Sequence, residues 1–114
     1  MRAPLADLDH LHRQFRGDGA LVRQWMALYL EEAPMMVARV RQALEAGDGA
    51  GMAHAVHDLR PQAQYLAAPR MLAVLAAVAE RARSGEVGAC GALVEELEAV
   101  ARQVEEELRK ALAG

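Results

Sequence analysis

His57 stands one residue before Asp58, three before Arg60 and four before Pro61, with Ala53 four residues ahead of it. On a helical wheel of about 100° per residue, Met52, Ala55, Leu59, Ala63 and Leu66 gather on one side as a core face, and His57 points nearly opposite. The outer face around it carries Ala53, Arg60, Pro61, Gln64 and Ala68. An exposed imidazole with small or short neighbours one turn before and after it is open to attack an electrophile. Histidine in general titrates near pH 6.5, so at neutral pH much of it is the uncharged nucleophile. An electrophilic phosphorus approaching in line passes Ala53 and Pro61, where bulky side chains would bar it. Arg60, at the next turn, sets a guanidinium where transferring oxygens gather negative charge.

Pro61 shapes the same site through the backbone. It has no N–H to offer the carbonyl of His57, and an interior proline costs on the order of 3 kcal/mol unless neighbours or water satisfy that carbonyl. Two readings are open: a helix that bends and continues, or one that ends near Arg60 with another starting at Pro61. The apolar stripe stays in phase through Ala63 and Leu66, which favours continuity.

Other reactive residues offer less. His54 and His57 are three apart with Asp58 beside them, a start for a metal site, but zinc takes three or four ligands and nothing else is near. His10 and His12 fall on different faces and read as solvated. Ser84 is the only hydroxyl of the Ser/Thr type, in a turn, so a serine nucleophile finds no support. Gly47-Asp48-Gly49-Ala50-Gly51 lacks the Gly-Lys-Ser/Thr ending of a phosphate-binding loop and reads as a helix connector. Cys90, the single cysteine, excludes an internal disulfide and fits packing in a reducing compartment.

The elements that must hold these residues are helical. The 114-residue chain has no Ile, Thr or Asn and only 4% aromatics, so residues that favour strands are scarce while Ala, Leu, Glu, Arg and Met abound. Its length fits one domain, residues 1–114. A short first segment, Leu5 to Phe15, ends at Arg16-Gly17-Asp18-Gly19. A long second one, about Ala20 to Ala46, places Leu21, Trp25, Leu28, Tyr29, Met36, Val40 and Leu44 at helical spacing, with Pro34 expected to kink it. Its Trp and Met residues read as core. The third runs from Ala50 to Ala67, capped by Asp48. Pro69 opens the fourth, which runs to Arg83. The fifth spans about Cys90 to Leu112, with Leu93, Leu97, Val100, Val104, Leu108 and Ala111 on one stripe and a solvated Glu-rich face ending in Arg109 and Lys110. Four substantial helices joined by short loops predict an all-α, up-down four-helix bundle with a short extra N-terminal helix.

Net charge of -3 gives no electrostatic ground for nucleic acid as a partner. No stretch nears the roughly 20 apolar residues that span a bilayer, and no signal peptide is evident. Met1 and the short tails fit a free-standing protein, although a domain of a longer hybrid kinase has the same appearance.

The run Ala55-Val56-His57-Asp58-Leu59-Arg60-Pro61, followed by Leu66-Ala67-Ala68, resembles the signature of histidine-containing phosphotransfer (HPt) domains. That signature is a phosphoacceptor histidine, a leucine two on, a basic residue three on, a small residue four on and a Leu-Gly-Ala-like step nine to eleven on. Phe15-Arg16-Gly17-Asp18, Tyr29-Leu30-Glu31-Glu32-Ala33-Pro34 and Gln42-Ala43-Leu44-Glu45-Ala46-Gly47-Asp48 are similar to the family upstream, so the likeness covers essentially the whole chain. Arg60 stands where lysine is usual, Pro61 where glycine is commonest, Gln62 for a serine and Ala67 for a glycine; an HPt subgroup with a Lys-Pro step resembles this version.

The resemblance implies that His57 is the phosphoacceptor, relaying a phosphoryl group between receiver-domain aspartates, with Arg60 stabilising it. Ala53, Pro61, Gln64, Ala68 and Arg83 become the expected partner-facing residues, Arg83 matching a basic position near the phosphorylation site in some members. The expected partners are receiver domains of response regulators or of a hybrid sensor kinase. The receiver would supply Mg²⁺, and this chain would need no cofactor or metal of its own. It would be a carrier without ATP-dependent kinase activity, cytoplasmic and monomeric. The competing class is a non-catalytic helical adaptor, or a degenerate HPt, that binds receivers without carrying phosphate.

Overall fold

A computed structural model describes residues 3–114; Met1 and Arg2, the start of the expected domain, lie outside them. The helices are α1 (Leu8–Gln14), α2 (Gly19–Ala46), α3 (Gly49–Tyr65), α4 (Pro69–Arg83) and α5 (Gly91–Ala113), with a short 3₁₀ turn, Val87–Cys90, before the last. The described residues contain no strand.

Local chemistry sets the helix ends. Asp7, Asp18 and Asp48 each accept from a backbone N–H in the first turn of the helix that follows, satisfying donors that have no intrahelical partner. Pro69 occupies the first turn of α4, where its missing N–H costs nothing. Gly47 ends α2 in the left-handed region at φ 67°, a conformation that needs no Cβ.

The four long helices form a ring: α3 and α5 each pack between α2 and α4, while α1 rests on α2 and α3. Met52 and Leu59 of α3, Leu66 just past its end, Met71 and Leu75 of α4, and Leu97 and Leu108 of α5 are fully buried and fill the centre. Arg41 of α2 reaches Glu98 of α5 through two hydrogen bonds, Nη2 to Oε1 at 2.6 Å and Nε to Oε2 at 3.1 Å. These bonds hold the Glu98 carboxyl below its ordinary range. Glu107 of α5 accepts from the backbone N–H groups of Leu5 and Ala6, each at 2.9 Å, and the N–H of Asp7 donates to the carbonyl of Leu66 at 2.7 Å. The N-terminal segment is thus tied across one end of the ring.

Two expectations are refined by these elements. The apolar stripe of α2 lies about one residue round from the one expected: Val22, Met26, Tyr29, Ala33, Val37, Val40 and Ala43 are buried, whereas Leu21 and Leu28 are exposed and Trp25, Met36 and Leu44 are partly buried. Adjacent apolar pairs, such as Leu21-Val22 and Trp25-Met26, fit two helical stripes equally, and only the packing partners choose between them. In α3 the question at Pro61 is answered by one continuous helix through it, with Ala63 on the buried face beyond.

The turn from α3 to α4 carries backbone strain. Ala67 has φ 44°, in the left-handed region where an L-residue pays roughly 1–2 kcal/mol that glycine avoids. Glycine loses about 0.5–1 kcal/mol of that gain to its greater unfolded-state entropy. Ala67→Gly is therefore expected to raise stability by up to about 1.5 kcal/mol, read as a higher urea midpoint with an unchanged slope.

Candidate functional site

The core stripe of α3 turns His57 outward. Met52, Ala55, Leu59 and Ala63 are at most 2% exposed, and His57, on the far side of the same helix, is exposed. Beside it α3 and α4 enclose a shallow concavity of about 130 Å³. Ala53, His57 and Arg60 line it from α3, and Ala76, Ala79 and Arg83 line it from α4. The buried Val56 and Leu75 form its base. Sequence reading brought Ala53, His57, Arg60 and Arg83 to this region, and the fold places all four around one hollow.

The electrostatics favour an anion here. Arg60 and Arg83 are exposed, and neither forms an ion pair with another described residue. The one acidic neighbour in sequence, Asp58, faces away towards α2: its Oδ2 lies 3.7 Å from Nη1 of Arg39 and 3.8 Å from Nε2 of His54. The imidazole is left with two uncommitted guanidinium groups, and the carboxylate that would compete for them is engaged elsewhere. A pair of planar forks suits the three equatorial oxygens of a phosphoryl group.

The remaining expected site residues divide. Pro61 and Gln64 are exposed on α3 but lie outside the hollow. Ala68 is a correction: it is 0% exposed and is the N-cap residue of α4, not an outer-face position of α3. The helix ends at Tyr65, so helical spacing does not extend to position 68, and the left-handed Ala67 turns the chain inward so that Ala68 packs in the core. Among the described residues no group of three or more His, Cys, Asp or Glu is placed to hold a metal ion. No helix of the described chain is long and apolar enough to cross a membrane.

Sequence reading reached Arg83 through the family likeness but missed Ala76 and Ala79, the rest of the α4 wall. Ala76, Ala79 and Arg83 recur at three- and four-residue spacing, one face of a helix, and the small size of the two alanines leaves room for the hollow. The signal was present in the sequence, but only knowing that α4 packs on α3 gives it meaning.

The bundle sets an outward histidine on its third helix with arginines from two helices beside it, an arrangement that suits a phosphoryl group. The Hpt domain family model matches residues 24–112, and the chain belongs to that family. Hpt domains work in two-component relays with receiver domains, and histidine phosphotransfer is the role this membership gives the chain. In fold it is similar to histidine-containing phosphotransfer protein B (HptB) of Pseudomonas aeruginosa PAO1, with a TM-score of 0.88 at 20% identity, covering 98% of this chain and 97% of that one. No curated protein sequence matches the chain.

Proposed function

We propose that the chain shuttles a phosphoryl group between receiver-domain aspartates through phospho-His57. The observation that carries this reading is the shared hollow in which His57 meets the uncommitted guanidinium groups of Arg60 and Arg83. An imidazole nitrogen attacks phosphorus, forming P–N as the acyl-phosphate P–O bond breaks and the receiver's aspartate leaves as carboxylate. Return transfer reverses the step with a second receiver. Arg60 and Arg83 hold the three phosphoryl oxygens during both passes, and the receiver brings the Mg²⁺. Ala53 and Pro61 keep the approach open, and Gln64 is a contact for the docked receiver. The protein works as a carrier in the cytoplasm and does not draw on ATP itself.

The test is incubation with a receiver domain carrying radiolabelled phosphoryl. Label that appears on this chain, stable to base and labile to acid, supports the carrier. Tight receiver binding with no label would replace it with the adaptor. Losing a charge-assisted hydrogen bond costs about 1.5–3 kcal/mol, so Arg60→Ala or Arg83→Ala should each slow transfer by roughly ten- to a hundredfold. Stopped-flow or quench-flow transfer rates with an unchanged melting curve would check this.

A further inference from the structure

The hollow beside His57 brings its own charge to a phosphoryl group without help from a second protein. One imidazole and two guanidinium groups line it, and every other residue in it is alanine, valine or leucine. No carboxylate lines it. Asp58 is turned to Arg39 and His54, and Glu80 is exposed outside the hollow. Its volume of about 130 Å³ is well above the roughly 10–15 Å³ that admits one water, and below the roughly 300–1,000 Å³ of pockets that enclose a drug-sized ligand. Only a small ligand sits inside it.

We infer that this hollow also takes a phosphoryl group directly from small acyl phosphates, with no receiver present. The inference rests on His57 being the phosphoacceptor. A phosphorus atom seated beside the imidazole has the charge of its oxygens met by Arg60 and Arg83, both already on this chain. An imidazole nitrogen forms the P–N bond as the P–O bond to the acyl oxygen breaks, and that electron pair leaves with the carboxylate. The phosphorylated ring is cationic until its N–H proton passes to solvent. The leaving group selects the class of donor. Carboxylic acids titrate near pH 4, so a carboxylate departs without a proton. An alkyl phosphate ester leaves as a strongly basic alkoxide that needs one, and the hollow holds no carboxyl, hydroxyl or ammonium group to give it. The aliphatic walls at Leu75, Ala76 and Ala79 suit a short acyl tail. A chain loaded in this way enters the relay already phosphorylated, with no kinase upstream of it.

The test needs only the purified chain and acetyl phosphate with a labelled phosphoryl group. Acid-labile label should reach His57 alone, at a rate that saturates with acetyl phosphate and falls when unlabelled inorganic phosphate competes. His12 and His54 are exposed on the same chain but lie outside the hollow, so they report what a bare imidazole does. Mass spectrometry should find them unlabelled. Arg60→Ala or Arg83→Ala should slow labelling by roughly ten- to a hundredfold with circular dichroism unchanged. No label from acetyl phosphate, while a phosphorylated receiver still labels the chain, overturns this inference alone. No label from either donor overturns it together with the reading of His57. Equal labelling of His12 and His54, or labelling that neither saturates nor responds to the arginine changes, is intrinsic imidazole chemistry and overturns it as well.

Discussion

His57→Gln is expected to take up no phosphoryl label from a receiver domain while folding as well as the parent chain. The amide of glutamine has no nucleophilic lone pair on nitrogen, so the P–N bond cannot form, whatever the neighbouring arginines do. The site predicts little structural cost. His57 is exposed on α3, its side chain makes no hydrogen bond or ion pair among the described residues, and glutamine suits a helix slightly better than histidine. Surface changes of that kind stay within about 0.5 kcal/mol. Circular dichroism and melting temperature should be unchanged, and label should fall to background. Docking should survive, so His57→Gln should still compete with the parent chain for phosphorylated receiver. Equal labelling of the two proteins would move the acceptor elsewhere, with exposed His54 the first place to look.

Leu59→Ala is expected to act through the opposite route, on the fold rather than the chemistry. Leu59 is 0% exposed at the centre of α3, two residues beyond the histidine and on the other side of the helix. Truncating a buried leucine removes transfer energy and leaves a cavity, together costing about 2–5 kcal/mol. A domain of this size has roughly 5–15 kcal/mol in total. Urea denaturation should show the loss as a lower midpoint with a similar slope. Phosphotransfer should decline only as the unfolded fraction grows, and well below the midpoint the rate per folded molecule should match the parent. A rate that falls while the protein stays folded would mean that Leu59 positions the imidazole as well as supporting it.

The contrast between these two residues also shows why α3 was so readable. Its buried and exposed sides differ sharply in residue type, so a wheel alone turned Leu59 inward and His57 outward. Asp48, Pro69 and the glycine turns marked the helix ends within a residue or two. α2 was less legible because apolar residues sit side by side at Leu21-Val22, Trp25-Met26 and Leu28-Tyr29. Which of each pair is buried depends on where α3 and α5 lie, and that is tertiary information. Ala68 failed for a related reason. Nothing local announces that an alanine at position 67 adopts a left-handed conformation, so the end of α3 was placed too late. Arg83 was reached only through family likeness, while the alanines that make its hollow needed the α3–α4 packing to be seen.

The two-sidedness of α3 has an evolutionary consequence. The exposed residues proposed to meet a partner, Arg60 and Pro61 among them, are not those that hold the bundle together, such as Met52, Leu59 and Ala63. Mutations on the outer side therefore drift almost free of any folding penalty. A lineage could duplicate such a gene and retune one copy to a new signalling circuit by changing a few surface residues, without first acquiring a stabilising change to tolerate them. Insulation between parallel pathways can arise quickly on this scaffold.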